Sequence, residues 1–127
     1  MREPAAGIGA EGASAVVEFA LVLPLVLVLL FGIVEVAVIA RSEIQLIHAA
    51  REGAREAAAS PDTSRAANAV RSALGDLGSR ARIGVSRPAA IGARATVRVS
   101  VQHRVAAPIF GGFTVTLSAS STMRVER

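Results

Sequence analysis

Between Glu18 and Glu35 the chain carries an uninterrupted apolar run, Phe19 to Val34, of 16 residues. As a helix it spans about 24 Å at 1.5 Å per residue, short of a hydrocarbon core of roughly 30 Å. A spanning helix must therefore draw Glu18, Glu35 or both to the membrane boundary; the wider stretch Ala13 to Ala40 holds no other charge. Burying such a helix in a soluble core would require a large protein on every side of it, and the sequence after Ala40 is short and Ala-rich. A cleaved secretory signal has an apolar region of about 7–15 residues after a basic start. Here the run is longer and comes after Arg2, Glu3 and Glu11. The sequence predicts a transmembrane helix over 14–40. Pro24 removes one backbone donor and predicts a mild kink. Gly32 has no second small residue four positions away, so it gives little signal for helix association.

The remaining composition narrows the function. All 14 basic residues are Arg, set against 10 acids for a net charge of +4, and aromatics make up 3% with no Trp or Tyr. That disfavours a module that stacks bases. Without cysteine there is no disulfide, thiolate metal site or cysteine nucleophile. Residues 1–40 hold one Arg against four Glu, 41–79 five Arg against five acids, and 80–127 eight Arg against Glu126 alone. The basic character belongs to the last third. Near the span, Arg2 precedes it while Arg41, Arg51 and Arg55 come after it, so basic residues alone would place the C-terminal part in the cytoplasm.

After Arg41 the helical pattern continues. Ala40, Ile44, Ile47, Ala50 or Arg51, Ala54 and Ala57 recur at steps of three and four and predict one apolar stripe. Gly53 is a local weak point of that helix, Glu52 and Arg55 can pair at i,i+3, and Pro61 and Asp62 stop it. Asp62, Thr63 or Ser64 can cap a shorter helix, roughly Ser64 to Leu77, with Ala67, Val70, Ala73, Leu74 and Leu77 on one face. The period then changes to two. Ala93 to Val105 and Phe113 to Val125 alternate apolar with polar residues, and Pro108, Gly111 and Gly112 between them predict an antiparallel pair. Two strands are marginal alone. Either Arg82 to Ser86 adds a third or the helices cover the apolar face.

Nothing in the sequence carries catalytic chemistry, and neither a cofactor nor a metal is expected. Gly7, Gly9 and Gly12 spell G-x-G-x-x-G, but no strand precedes them and a membrane helix comes next, so they read as a flexible leader rather than a dinucleotide loop. His48 is expected solvated and His103 half-buried in its strand; no His and carboxylate stand at metal spacing, and no Ser sits in G-x-S-x-G. The arginines at 80, 82, 87, 94, 98 and 104 could meet phosphates or anionic lipid. Without interleaved aromatics, a solvated sheet face is the better reading. Glu18 differs: an ionisable group at the head of a lipid-facing helix needs a partner, such as a neighbouring subunit's cation or a cleaved amino terminus.

The string Gly12-Ala-Ser-Ala-Val-Val-Glu18-Phe-Ala-Leu-Val-Leu-Pro24, then Gly32-Ile-Val-Glu35 and Ala49-Ala-Arg-Glu-Gly-Ala-Arg55, resembles the TadE-like proteins of the tight-adherence (Tad/Flp) pilus machinery. The tail from Thr114 to Glu126 is similar to that family's closing strand. The resemblance implies a minor pseudopilin, a structural or assembly subunit in secretion and adhesion, whose short cytoplasmic leader is removed by a prepilin peptidase. It implies processing at Gly12 or Ala13: cutting after Gly12 makes Glu18 the sixth mature residue, and cutting after Ala13 makes it the fifth. It implies subunit packing through Glu18, Phe19 and Pro24. It also implies an extracytoplasmic C-terminal part, against the Arg count; a leader that must meet that peptidase in the cytoplasm outweighs the count.

The expected fold class is α+β. A leader (1–13) precedes a transmembrane helix (14–40), its extracytoplasmic continuation (41–60), and a small domain (61–127) with a short helix and an antiparallel β-sheet. The expected partners are the membrane, prepilin peptidase and other Tad pilus or pseudopilin subunits, with no nucleic acid and no small-molecule substrate. Two alternatives remain: an uncleaved single-pass accessory subunit of a membrane complex, and a membrane-tethered nucleic-acid binder using the C-terminal arginines.

Overall fold

The computed structural model describes residues 8–107 and 110–126. Helix α1 runs Ile8–Ala59 and α2 Thr63–Leu74, followed by a 3₁₀ segment Gly75–Arg80 and the strands β1 Arg82–Ser86, β2 Arg94–Val105 and β3 Phe113–Arg124. The class is α+β, with a long apolar N-terminal helix, a short helix and a three-stranded antiparallel sheet. By internal contacts the chain divides into two units, residues 1–37 and 38–127.

In the first unit, helix extends back to Ile8. Gly9 and Gly12, expected in a flexible leader, are helical; Gly7 and the start of the leader lie outside the described residues. From Val16 to Val34 every apolar side chain larger than alanine is exposed, as far as 74% at Leu21.

The second unit is a sheet with one face covered by helix. The order is β1-β2-β3, all antiparallel. Side chains alternate between faces along a strand, so Ala95, Val97, Val99 and Val101 of β2 turn to the covered face and are buried. Ile83 and Val85 of β1 and Leu117 of β3 join them. Against this layer lie Leu46, Ala49, Ala50, Ala54 and Ala57 of α1 and Ala66, Val70 and Leu74 of α2. Both of the ways expected to stabilise the strand pair are used: Arg82–Ser86 is a third strand, and helices cover the apolar face.

The phase of the α1 stripe differs from its expectation. Ala50, Ala54 and Ala57 are buried, but Ala40, Ile44, Ile47 and Arg51 are exposed, while Leu46 and Ala49 take the inward places. Shape decides this. A Cβ built at Gly53 would run into Val70 Cγ2 and stand 3.1 Å from Val97 Cγ1, so the helix approaches α2 and β2 at a point where only glycine fits without displacement. Gly53 thus serves a close approach that a side chain would obstruct. In α2 the inward face is Ala66, Val70 and Leu74; Ala73 is exposed and Ala67 half-buried.

The end of α1 is held from three directions. Pro61 disfavours helical geometry at Ser60. The carbonyl of Ala57 accepts a 2.7 Å hydrogen bond from Arg87 Nε, and that of Ala58 accepts one of 3.1 Å from the Glu126 amide. Carbonyls of the last helical turn lack intrahelical donors, so the loop after β1 and the tail after β3 both close it. Asp62 is the N-cap of α2: its Oδ1 accepts from the Ser64 amide at 2.9 Å and the Ser64 hydroxyl at 2.6 Å. Those two bonds stabilise the carboxylate and hold the Asp62 pKa below its ordinary value. At the β2–β3 connection Gly111 and Gly112 adopt φ of 77° and 81°, and a Cβ at Gly112 would stand 2.7 Å from the Val105 carbonyl oxygen. Pro108, expected in that turn, lies outside the described residues.

Candidate subunit-packing helix

The residues that the TadE-like resemblance implies for processing and packing, Gly12, Ala13, Glu18, Phe19 and Pro24, lie on the first unit's part of α1. Each is exposed. Apart from its chain neighbours and the backbone of its own helix turn, no atom lies within 4 Å of where a Cβ at Gly12 would stand, so the backbone there is open to approach. Glu18 is the acid at the head of the apolar run. Its Oε1 accepts a hydrogen bond from the Ser14 hydroxyl, one turn earlier, at 3.3 Å. A single long bond leaves most of the carboxylate's acceptor capacity outward.

Magnitudes favour lipid around this helix. Between Phe19 and Val34 stand 13 residues of the Leu, Ile, Phe and Val types; at about −0.3 to −0.6 kcal/mol each on insertion scales they contribute roughly −4 to −8 kcal/mol. A charge at the helix centre costs about 2.5–3.5 kcal/mol, and less toward the boundary. The apolar run therefore outweighs Glu18, which sits at its end. Among the described residues α1 is the one helix long and apolar enough to cross a membrane, and its most apolar stretch is not buried inside the fold. A soluble core helix would show the opposite.

The second motif block, Ala49 to Arg55, has a different role. Ala49, Ala50, Gly53 and Ala54 face the core, while Arg51 and Arg55 are exposed. Arg55 and Glu52 form the expected i,i+3 pair at 2.6 Å, and Glu56 reaches across to Arg65 of α2 at 3.0 Å. The block joins α1 to the rest of its own unit.

The arginines separate. Arg82, Arg94, Arg98 and Arg104 stand exposed on the uncovered sheet face, as the solvated reading has it. Arg87 leaves that set, because its guanidinium closes the end of α1. Sequence reasoning missed this role: nothing in the local pattern points across 30 residues to Ala57. His48 is exposed and His103 half-buried.

Residues 12–55 match the family model described as TadE-like protein, the family that the Gly12–Pro24 and Ala49–Arg55 motifs resemble. The match covers most of α1 and ends before the sheet, so it does not include the tail from Thr114. No curated protein and no solved structure matches the chain.

Proposed function

We propose that this protein is a minor pseudopilin, a membrane-anchored structural or assembly subunit of a Tad (Flp-type) pilus or a related secretion system. The observation that carries the reading is the coincidence of the TadE-like match over residues 12–55 with an exposed apolar helix headed by a single acid. The family and the helix together support a single-pass, pilus-related membrane protein. The finer reading adds four elements. A prepilin peptidase removes the leader at Gly12 or Ala13. The C-terminal unit lies outside the cytoplasm. The freed amino terminus of one subunit meets Glu18 of another. Phe19 and Pro24 lie in the same packing surface.

The physical logic of the pairing is charge neutralisation. A lone carboxylate near the bilayer boundary is costly, and an ammonium within about 4 Å offsets that cost far better there than in water. Ser14 satisfies one acceptor position and leaves the others for the partner. Two measurements test the proposal. Intact mass of the membrane-extracted protein should show loss of 12 or 13 residues; a full-length mass in a piliated cell would refute processing. Glu18→Gln keeps size and removes charge, and should abolish assembly while leaving membrane insertion intact. Normal piliation with that variant would refute the pairing.

A further inference from the structure

The uncovered face of the sheet is strongly charged in one sense. Directly paired residues project to the same face, and the register places Arg82 beside Ser100, Arg98 beside Ser120, Arg104 beside Thr114 and Arg94 beside Arg124. Five arginines therefore share it. The three strands contain no acidic residue, and none of the five arginines forms an ion pair with a described residue. Such a field attracts anions.

Within this face lies a cleft of ≈ 520 Å³ lined by Arg80, Arg82, Ser100, Gln102 and Thr116. Its location follows from strand lengths. β1 begins at Arg82, opposite Ser100, whereas β2 continues to Val105 paired with β3 alone. Arg80, the last residue of the 3₁₀ segment, joins the lining there. The donor set is two guanidinium groups, two hydroxyls and a carboxamide, with no aromatic or aliphatic side chain. Guanidinium forks match the oxygens of carboxylate or phosphate; hydroxyls and carboxamide both donate and accept, as sugar hydroxyls do. A volume in the range of about 300–1,000 Å³ suits a small ligand. Without an aromatic platform, base stacking on a ring contributes nothing, and with no aliphatic residue in the lining a fatty chain gains little.

We propose that this cleft binds one unit of an anionic polysaccharide. Arg80 and Arg82 hold its carboxylate or phosphate, while Ser100, Gln102 and Thr116 hold the neighbouring hydroxyls. Arg98 and Arg104 lie two positions beyond Ser100 and Gln102 along β2, about 7 Å to either side at 3.3–3.4 Å per residue, and meet the next charged units of the same strand. The site is independent of cleavage and of subunit packing.

The test uses the full chain in detergent micelles and biolayer interferometry against polygalacturonate, a phosphomannan, neutral dextran and a 20-base-pair DNA duplex. The expected result is binding to polygalacturonate or phosphomannan and none to dextran. Arg80→Gln with Arg82→Gln should weaken binding at least tenfold. Arg51→Gln with Arg71→Gln removes the same charge from exposed helical positions and should change it less than twofold. Thermal unfolding of both double variants separates a lost contact from a lost fold, and Thr116→Val, which removes a hydroxyl only, should weaken binding two- to fivefold. Failure to bind either anionic polymer would overturn the proposal, as would equal losses in the two double variants. Tighter binding to the duplex with the same dependence on Arg80 and Arg82 would also overturn it and assign the cleft to nucleic acid.

Discussion

Replacing Gly53 by alanine sets two effects of opposite sign against each other. In an open helix the change stabilises by about 0.8–1.0 kcal/mol through helix propensity. In this fold the added methyl meets Val70 Cγ2 and comes within 3.1 Å of Val97 Cγ1. Valine in a helix has one strongly preferred rotamer, so Val70 cannot swing aside cheaply, and overpacking of this kind costs about 1–3 kcal/mol. Repulsion should win by roughly 1 kcal/mol. For a unit of 90 residues, 38–127, that lowers the unfolding midpoint by about 4–8 °C. Val70→Ala supplies the control. Alone it loses two buried methyl groups, about 1.6 kcal/mol at 0.8 kcal/mol each before any cavity term. In that background the obstructing atom is gone, and Gly53→Ala should stabilise. The assay is thermal or urea unfolding of the full chain in micelles, followed by helical circular dichroism, across the four members of the cycle. If Gly53→Ala raises the midpoint in the parent protein, or has the same sign in both backgrounds, the close approach of α1 to α2 and β2 is refuted.

Two further outcomes rest on the capping contacts. Arg87→Ala removes the donor to the Ala57 carbonyl and should destabilise the second unit by about 1–2 kcal/mol, since bonds from charged donors are worth roughly 1.5–3 kcal/mol and water replaces part of the loss; unchanged urea unfolding would show the cap to be dispensable. Asp62 is bound as a carboxylate, so its folded pKa lies below the unfolded value of 3.8. Its stabilisation is complete above that value and is lost as pH falls through the lower folded pKa. Stability of the parent should thus fall more steeply than that of Asp62→Asn as pH drops below about 4; parallel pH profiles of the two proteins would remove the cap from the account.

The elements that could be read from sequence are those whose signal is local. The run from Phe19 to Val34 needs only its composition, the strands declare themselves by alternation, and Asp62 precedes α2 in the manner of an N-cap. The apolar stripe of α1 was harder, for a physical reason. From Ala40 to Ala59 nearly every helical phase carries apolar residues, so periodicity does not single out one face. Hydrophobicity then favours Ile44 and Ile47 as readily as Leu46. The fold instead turns Leu46 inward with Ala49, Ala50, Gly53 and Ala54, and the small residues stand where the backbone comes close to Val70 and Val97. The closure of α1 by Arg87 and by the Glu126 amide was illegible because its partners are 30 and 68 positions apart in the chain. The open basic face was legible only in part. Alternation put Arg94, Arg98 and Arg104 together, but the additions of Arg82 and Arg124 depend on the register of β1 and β3.

The segment matched to the TadE-like family therefore carries two distinct physical instructions along one helix. Residues around Glu18 present apolar surface in all directions and one acid, which suits contact with lipid and with other chains. Residues 49–55 present small side chains in one direction, which suits contact with the remainder of the same chain. The two parts should fail differently when perturbed. Glu18→Gln leaves every core contact of the second unit in place, so its unfolding should be unchanged even where assembly is lost. Gly53→Ala leaves the apolar run and its acid untouched, so insertion should persist while the second unit loses stability. If a variant at either end produced both defects, the division of labour along α1 would be wrong, and assembly would have to depend on the fold of the second unit as much as on the helix that anchors it.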